Sequence, residues 1–179
     1  MQVLGAEDVA SAPKGNEARR RGVAGIFFLY KIAGALAARR ATLDEVKAIA
    51  EKTTARVRSM GVAPSPCTIP EVGKPTFSIQ DGEMEIGMGI HGEAGVSRGT
   101  LQPADAIVDR VLGKILEDMP CEKGDTVSVL VNGMGATPLE ELYVLYRRVH
   151  QVFRSMDITV HRAYVGEFAT SMEMAGLSS

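Results

Sequence analysis

Of the three histidines in this 179-residue chain, one sits where an imidazole could meet a small molecule. His91 closes a strand-like run in the stretch EIGMGIHGEAG, residues 85–95. Gly87, Gly89, Gly92 and Gly95 remove side-chain bulk on both sides, so a ligand could approach the ring closely. Neutral imidazole can act as base, metal ligand or nucleophile, and the pattern alone does not choose among them. Glu85 and Glu93 lie near enough in sequence to orient the ring or hold its tautomer. The competing reading is a histidine that merely falls in a glycine-rich turn.

The other chemistry-bearing residues are weaker candidates. His150 lies in the helical pattern LYRRVHQVF and His161 in the strand pattern ITVHRAYV, and both read as structural or solvent-facing. The stretch VNGMGATP, residues 131–138, ends a strand in Asn-Gly-x-Gly and turns into a helix, as a phosphate-cradling turn does. It lacks the Gly-Lys-Ser/Thr ending that would bring a lysine to a nucleotide phosphate. A tight strand-to-helix connection that needs glycine backbone angles is the plainer explanation. Cys67 and Cys121 stand apart from each other and from any histidine cluster, so no zinc site is expected. Two such thiols and nine methionines, without a basic and apolar leader, fit a reducing cytoplasm.

The elements that would position these groups follow from periodicity. Residues 1–16 read as an exposed lead-in, with the breaker-rich run DVASAPKGN from Asp8 to Asn16. Residues 17–60 read as a helical pair. Apolar residues recur at helical spacing from Glu17 to Arg39, where Gly22, Gly25 and Gly34 would each cost a lone helix about 1 kcal/mol relative to Ala. Three such glycines predict close packing against a neighbour. Thr42 and Glu45 form a capping box for a second helix running to about Met60, with Gly61 as a left-handed stop. Residues 61–179 read as a sheet with covering helices. The stretch VAPSPCTIPEVGKPTF carries four prolines in sixteen residues and suits an edge or crossing segment. Strands are expected at 84–90, 125–131 and 158–165. Helices are expected from Pro103 to about Met119 and from Pro138, capped by Thr137, to about Met156. The alternation predicts a single α/β domain, a mixed sheet flanked by helices.

Composition excludes several function classes. The net charge of −2 gives no electrostatic case for nucleic-acid binding. No apolar run reaches the 18 residues expected of a membrane span.

Five segments together resemble the substrate-binding subunit of the dihydroxyacetone kinase family: RRRGVAGIFFLYKIAGALA, CTIPEVGKPTF, EMEIGMGIHGEAG, LVNGMGATPLEELYVLYRRV and TSMEMAGLS. They occur in family order from about Asp8 to Ser178. The resemblance implies that His91 attacks the ketone carbon of dihydroxyacetone and holds it as a covalent hemiaminal. It also implies that phosphate comes from ATP (with Mg) or a phosphoryl-donor protein on a partner subunit or domain, with no cofactor or metal bound by this chain. Family members are about twice this length. Their first half carries a Gly-rich loop ending in His-Glu-Pro and a catalytic Asp, and neither is present here. Position 94, alanine here, is usually proline. The chain therefore resembles the second domain of that subunit, trimmed at both ends and without a final strand. Such a piece is expected to be inactive alone, to expose apolar sheet edges, and to associate with itself or another chain. A regulatory relative without catalysis, or a subunit acting on another short ketose such as erythrulose, are the alternatives.

Overall fold

The structure, a computed structural model, describes residues 2–178 apart from Gly92. A short 3-10 turn at Glu17–Arg19 precedes two helices, α1 (Ile26–Ala38) and α2 (Leu43–Ala55). Strand β1 (Gly61–Ala63) and a small hairpin of β2 (Thr68–Ile69) and β3 (Lys74–Pro75) follow. Then come β4 (Glu83–Ile86), β5 (Ser97–Thr100), α3 (Ala104–Asp118), β6 (Thr126–Gly133), α4 (Leu139–Ser155), β7 (Thr159–Gly166) and β8 (Leu177–Ser178). The main sheet has six strands in the order β5-β4-β1-β8-β6-β7. β6 and β7 pair in parallel, joined through α4, and the other neighbouring strands pair antiparallel. The expected mixed α/β sheet is thus present.

The alternation along β6 divides the core. Val129 and Val131 face α3 and α4, where Leu112, Leu142, Leu145, Val149 and Phe153 pack against them. Leu130 points the other way, toward Val23, Ala24 and the rings of Phe27, Phe28 and Tyr164. Each fully buried large apolar side chain here contributes about 1.5–3 kcal/mol. A third cluster brings Cys67, Met88, Met134 and Met174 under Ile90, the residue before His91. Flexible methionines fill such irregular space well.

Several expected boundaries are corrected. The helix expected from Glu17 begins only at Ile26. Residues 20–23 bond outward instead: the Arg20 guanidinium reaches Asp118, the Arg21 carbonyl accepts from the Asp8 N–H, and the Val23 N–H donates to the Glu7 carboxylate. The lead-in is not all exposed either, since Glu7 and Asp8 are buried beneath this segment. Two of the three glycines do mark close packing. A Cβ on Gly25 would lie 2.6 Å from Glu7, and one on Gly22 3.2 Å from the Gly5 carbonyl, whereas Gly34 faces open space. The Thr42–Glu45 capping box forms as expected. Its helix ends at Ala55, and Gly61 is a strand residue pressed against Met88 rather than a stop. Thr137 does not cap α4. Its hydroxyl bonds both the carbonyl and the N–H of Gly176, and Pro138 takes the N-cap position.

The sheet also holds strands that the pattern concealed. β5 and the β2–β3 hairpin are too polar or too proline-rich to show alternation. The missing final strand is corrected in part. Leu177 and Ser178 pair as β8 between β1 and β6, in the middle of the sheet. The outer strands are not the apolar edges expected. β5 is mostly exposed and polar, and β7 exposes Thr159, His161 and Arg162. The apolar opening lies inside, in a cleft of about 510 Å³ beside β6, lined by Ala24, Val57, Val129, Phe153 and Ser178.

Candidate functional site

β4 ends at Ile86, four residues before the expected limit, because Gly87 turns there with φ near 76°. Its N–H still donates to the Gly61 carbonyl at 2.7 Å, so the turn is anchored to β1. The chain then passes over the methionine cluster, and the Gly89 N–H donates to the Glu93 carbonyl at 3.1 Å. Ser171 fixes the turn from the other side by donating to the Ile90 carbonyl. His91 stands at the tip, its side chain 78% exposed.

Glu93 is the carboxylate that meets this histidine. One of its oxygens accepts the His91 backbone N–H at 3.0 Å, and the other lies 3.5 Å from Nδ1. Burial pushes the Glu93 carboxyl up, but its own N–H and that of His91, with the charges of His91 and Arg21, bring it below the usual glutamate range. Glu85, the other sequence candidate, is engaged elsewhere: it accepts from Gly95 N–H at 3.0 Å and from Arg98 Nε at 2.9 Å. A carboxylate beside Nδ1 favours the tautomer with its proton there, which leaves the lone pair on Nε2. The ring can therefore act as a nucleophile.

The glycines serve the turn rather than a ligand. A Cβ on Gly87 would lie 2.5 Å from Ala10, one on Gly89 would overlap the Glu93 carboxylate, and one on Gly95 would overlap the Ile86 carbonyl. Bulk is excluded there because the chain folds back on itself. Access to His91 comes from its position at an exposed tip.

Two residues outside the motif support the turn. Arg21 Nη2 donates to the Gly87 carbonyl at 2.8 Å and to Asp8 at 2.7 Å, and its Nε donates to the same Asp8 oxygen at 2.9 Å. Burial pushes the Asp8 carboxyl up, and Arg21 pulls it back. No sequence signal singles Arg21 out, since it lies in a run of three arginines some seventy residues away.

The other candidates stand apart. His150 and His161 are exposed on α4 and β7. The Asn-Gly-Met-Gly loop cradles its own chain. The Met134 and Ala136 N–H groups donate to the Gly176 and Met174 carbonyls, and a Cβ on Gly135 would overlap the Met172 carbonyl. Those donors are not free for a phosphate, so the residues of this loop do not fit a nucleotide. Cys67 and Cys121 are free thiols. Among the described residues, no three His, Cys, Asp or Glu side chains are grouped to hold a metal ion. No helix among them is long and apolar enough to cross a membrane.

Comparison with known proteins places this architecture. The Dak1 domain family matches residues 1–179. The chain belongs to that family. This Dak1 domain is 45% identical over 176 residues to the dihydroxyacetone-binding subunit of the PTS-dependent dihydroxyacetone kinase 2 of Listeria innocua, covering 98% of the chain and 53% of that protein. It is 40% identical to the L-erythrulose kinase of Pectobacterium atrosepticum, covering 96% of the chain and 30% of that enzyme. Among solved structures, a dihydroxyacetone kinase operon co-activator superposes with a TM-score of 0.89 at 28% identity, over 98% of this chain and 55% of that one. The C. freundii dihydroxyacetone kinase in complex with AMP-PNP and Mg2+ gives a TM-score of 0.82 at 27% identity, over 99% of this chain and 32% of that one. The chain thus spans about half the length of the Listeria subunit it matches.

Proposed function

We propose that this domain is the substrate-holding part of a dihydroxyacetone-type kinase and carries a short ketose on His91. The observation that carries the proposal is the exposed His91 ring with the Glu93 carboxylate beside Nδ1. The names of the Listeria and Pectobacterium relatives support a short ketose, dihydroxyacetone or erythrulose, as the class of substrate.

The step balances as a simple addition. The Nε2 lone pair attacks the ketone carbon, a C–N bond forms, and the carbonyl π electrons move to oxygen. That oxygen takes a proton from solvent, and the Nδ1 proton leaves toward Glu93. An imidazole nitrogen cannot go on to a Schiff base, so nothing is expelled. The bond selects carbonyl compounds over polyols and orients the terminal hydroxyl for transfer. The phosphoryl donor, ATP with Mg or a donor protein, belongs to a partner subunit or domain in this reading. So do the acid and base groups that complete the transfer, and the domain alone captures substrate without turnover.

Intact-mass spectrometry with dihydroxyacetone is the test. The expected result is a gain equal to one whole substrate molecule on the wild-type chain, and no gain on His91→Ala. The same adduct on the variant would move the attachment elsewhere, and its absence from the wild type would refute the anchor. A second reading, a regulatory relative without catalysis, is favoured by the similarity to the operon co-activator. Restored phosphorylation when a nucleotide-binding partner and the remaining family domain are supplied would decide for the kinase.

A further inference from the structure

We infer that Arg21 is a positioning residue for His91, acting through the Gly87 turn and the Glu93 carboxylate. The inference rests on the reading of His91 as the reactive group. Arg21 belongs to the segment before α1, far from His91 in sequence, yet its guanidinium reaches the base of the turn. Its Nη2 bridges the Gly87 carbonyl and the Asp8 carboxylate. Asp8 is buried, its side chain only 1% exposed, so the guanidinium is held from behind. The Asp8 backbone strengthens the clamp, because its N–H donates to the Arg21 carbonyl at 3.2 Å.

The other guanidinium nitrogen faces the reactive side. A methyl group built on Gly89 would lie 3.0 Å from Arg21 Nη1 and would overlap the Glu93 carboxylate. Arg21 and Glu93 therefore flank the same point over the turn, with room for a hydrogen and nothing larger. Two consequences follow. The fork fixes where the turn leaves β4, and with it the direction of the His91 side chain. After the backbone N–H groups of Glu93 and His91, the Arg21 charge also helps hold the Glu93 carboxyl beside Nδ1 below the usual glutamate range. The charged groups at this turn are Glu93, 3.5 Å from Nδ1, and Arg21 at the Gly87 end, with Asp8 behind Arg21. Glu85 is turned to Arg98 and Gly95.

Nitrogen NMR of the His91 imidazole, on the full chain, reads its tautomer balance. Arg21→Met removes charge and fork. Without the fork the turn is no longer held where it leaves β4. The Nδ1–H tautomer should then lose its preference. Arg21→Lys keeps the charge and loses the fork, so the tautomer balance should still move toward even. A wild-type tautomer balance in either variant would overturn the inference. Should Arg21→Met fail to fold, the lysine variant decides alone. Adduct mass on the same samples keeps the two questions apart. A wild-type chain that forms no adduct sinks the covalent anchor, while the NMR still reports on Arg21.

Discussion

Asp118, at the end of α3, takes charge-assisted hydrogen bonds from two arginines. Arg20 donates through both terminal nitrogens, at 2.9 and 2.6 Å, and Arg58 through Nε. The hydrogen bonds from Arg20, with those from Arg58, outweigh burial and lower the Asp118 carboxyl to about 2. The Arg20 side chain has no exposed surface, so removing its partner strands a buried charge. Asp118→Asn is expected to cost about 3 kcal/mol in urea unfolding. The pH dependence has a definite sign. A carboxyl depressed in the folded state stabilises above its unfolded value, near 3.8, and that stability is lost as pH falls toward 2. After allowance for solvent screening this amounts to about 1–2 kcal/mol, and the asparagine variant should lack it. Glu7 and Asp8 act in the opposite sense. Burial raises both, so protonating them on acidification favours the fold. A variant as acid-sensitive as the wild type between pH 4 and 2 would contradict the assignment to Asp118.

The helices differ in how their ends are satisfied. α2 begins with a reciprocal box, the Thr42 hydroxyl accepting from the Glu45 N–H while the Glu45 carboxylate accepts from the Thr42 N–H at 2.7 Å. α4 has no side-chain cap and is held by the four-residue stripe Leu142, Leu145, Val149 and Phe153. α2 buries little, chiefly Ala50 and Thr53, so its cap carries a larger share of its stability. Thr42→Ala should therefore lower stability by about 1 kcal/mol, measured by thermal or urea unfolding. An effect below a few tenths would mean that packing against α1 suffices. The local chemistry of α2 was legible in sequence because a capping box is a contact between near neighbours. The start of α1 was not. Gly22 and Gly25 read as close-packing positions within one long helix, while Arg20, Arg21 and Val23 are in fact drawn away by Asp118, Asp8 and Glu7.

At the scale of the whole molecule, the open apolar surface on α1 and beside β6 bears on association. α1 exposes Tyr30 at 70% and Ile32 at 41%. The cleft beside β6 is lined by Ser59 and Ser178 among others, and among the described residues their buried hydroxyls have no hydrogen-bond partner. Surfaces of this kind are ordinarily covered by another chain or domain. We expect the isolated chain to associate, giving a mass above that of one chain by light scattering coupled to size exclusion. A strictly monomeric species at high concentration would count against it.

His91 and its neighbour Glu93 could be picked from sequence because their chemistry is local: two residues apart, they meet across a single turn. The alternation of strands and helices was likewise written in hydrophobic periodicity, from α3 to β7. Sequence could not show that Arg21 and Asp8 brace that turn, or that Glu85 is taken by Arg98. It also misjudged why the glycines are there: the chain itself fills the space they leave. Nor could two residues, Leu177 and Ser178, announce a strand in the centre of the sheet. These arrangements join segments tens of residues apart, and no local pattern encodes them. They exist only once the backbone has closed and each buried charge, carbonyl and N–H has to find its partner.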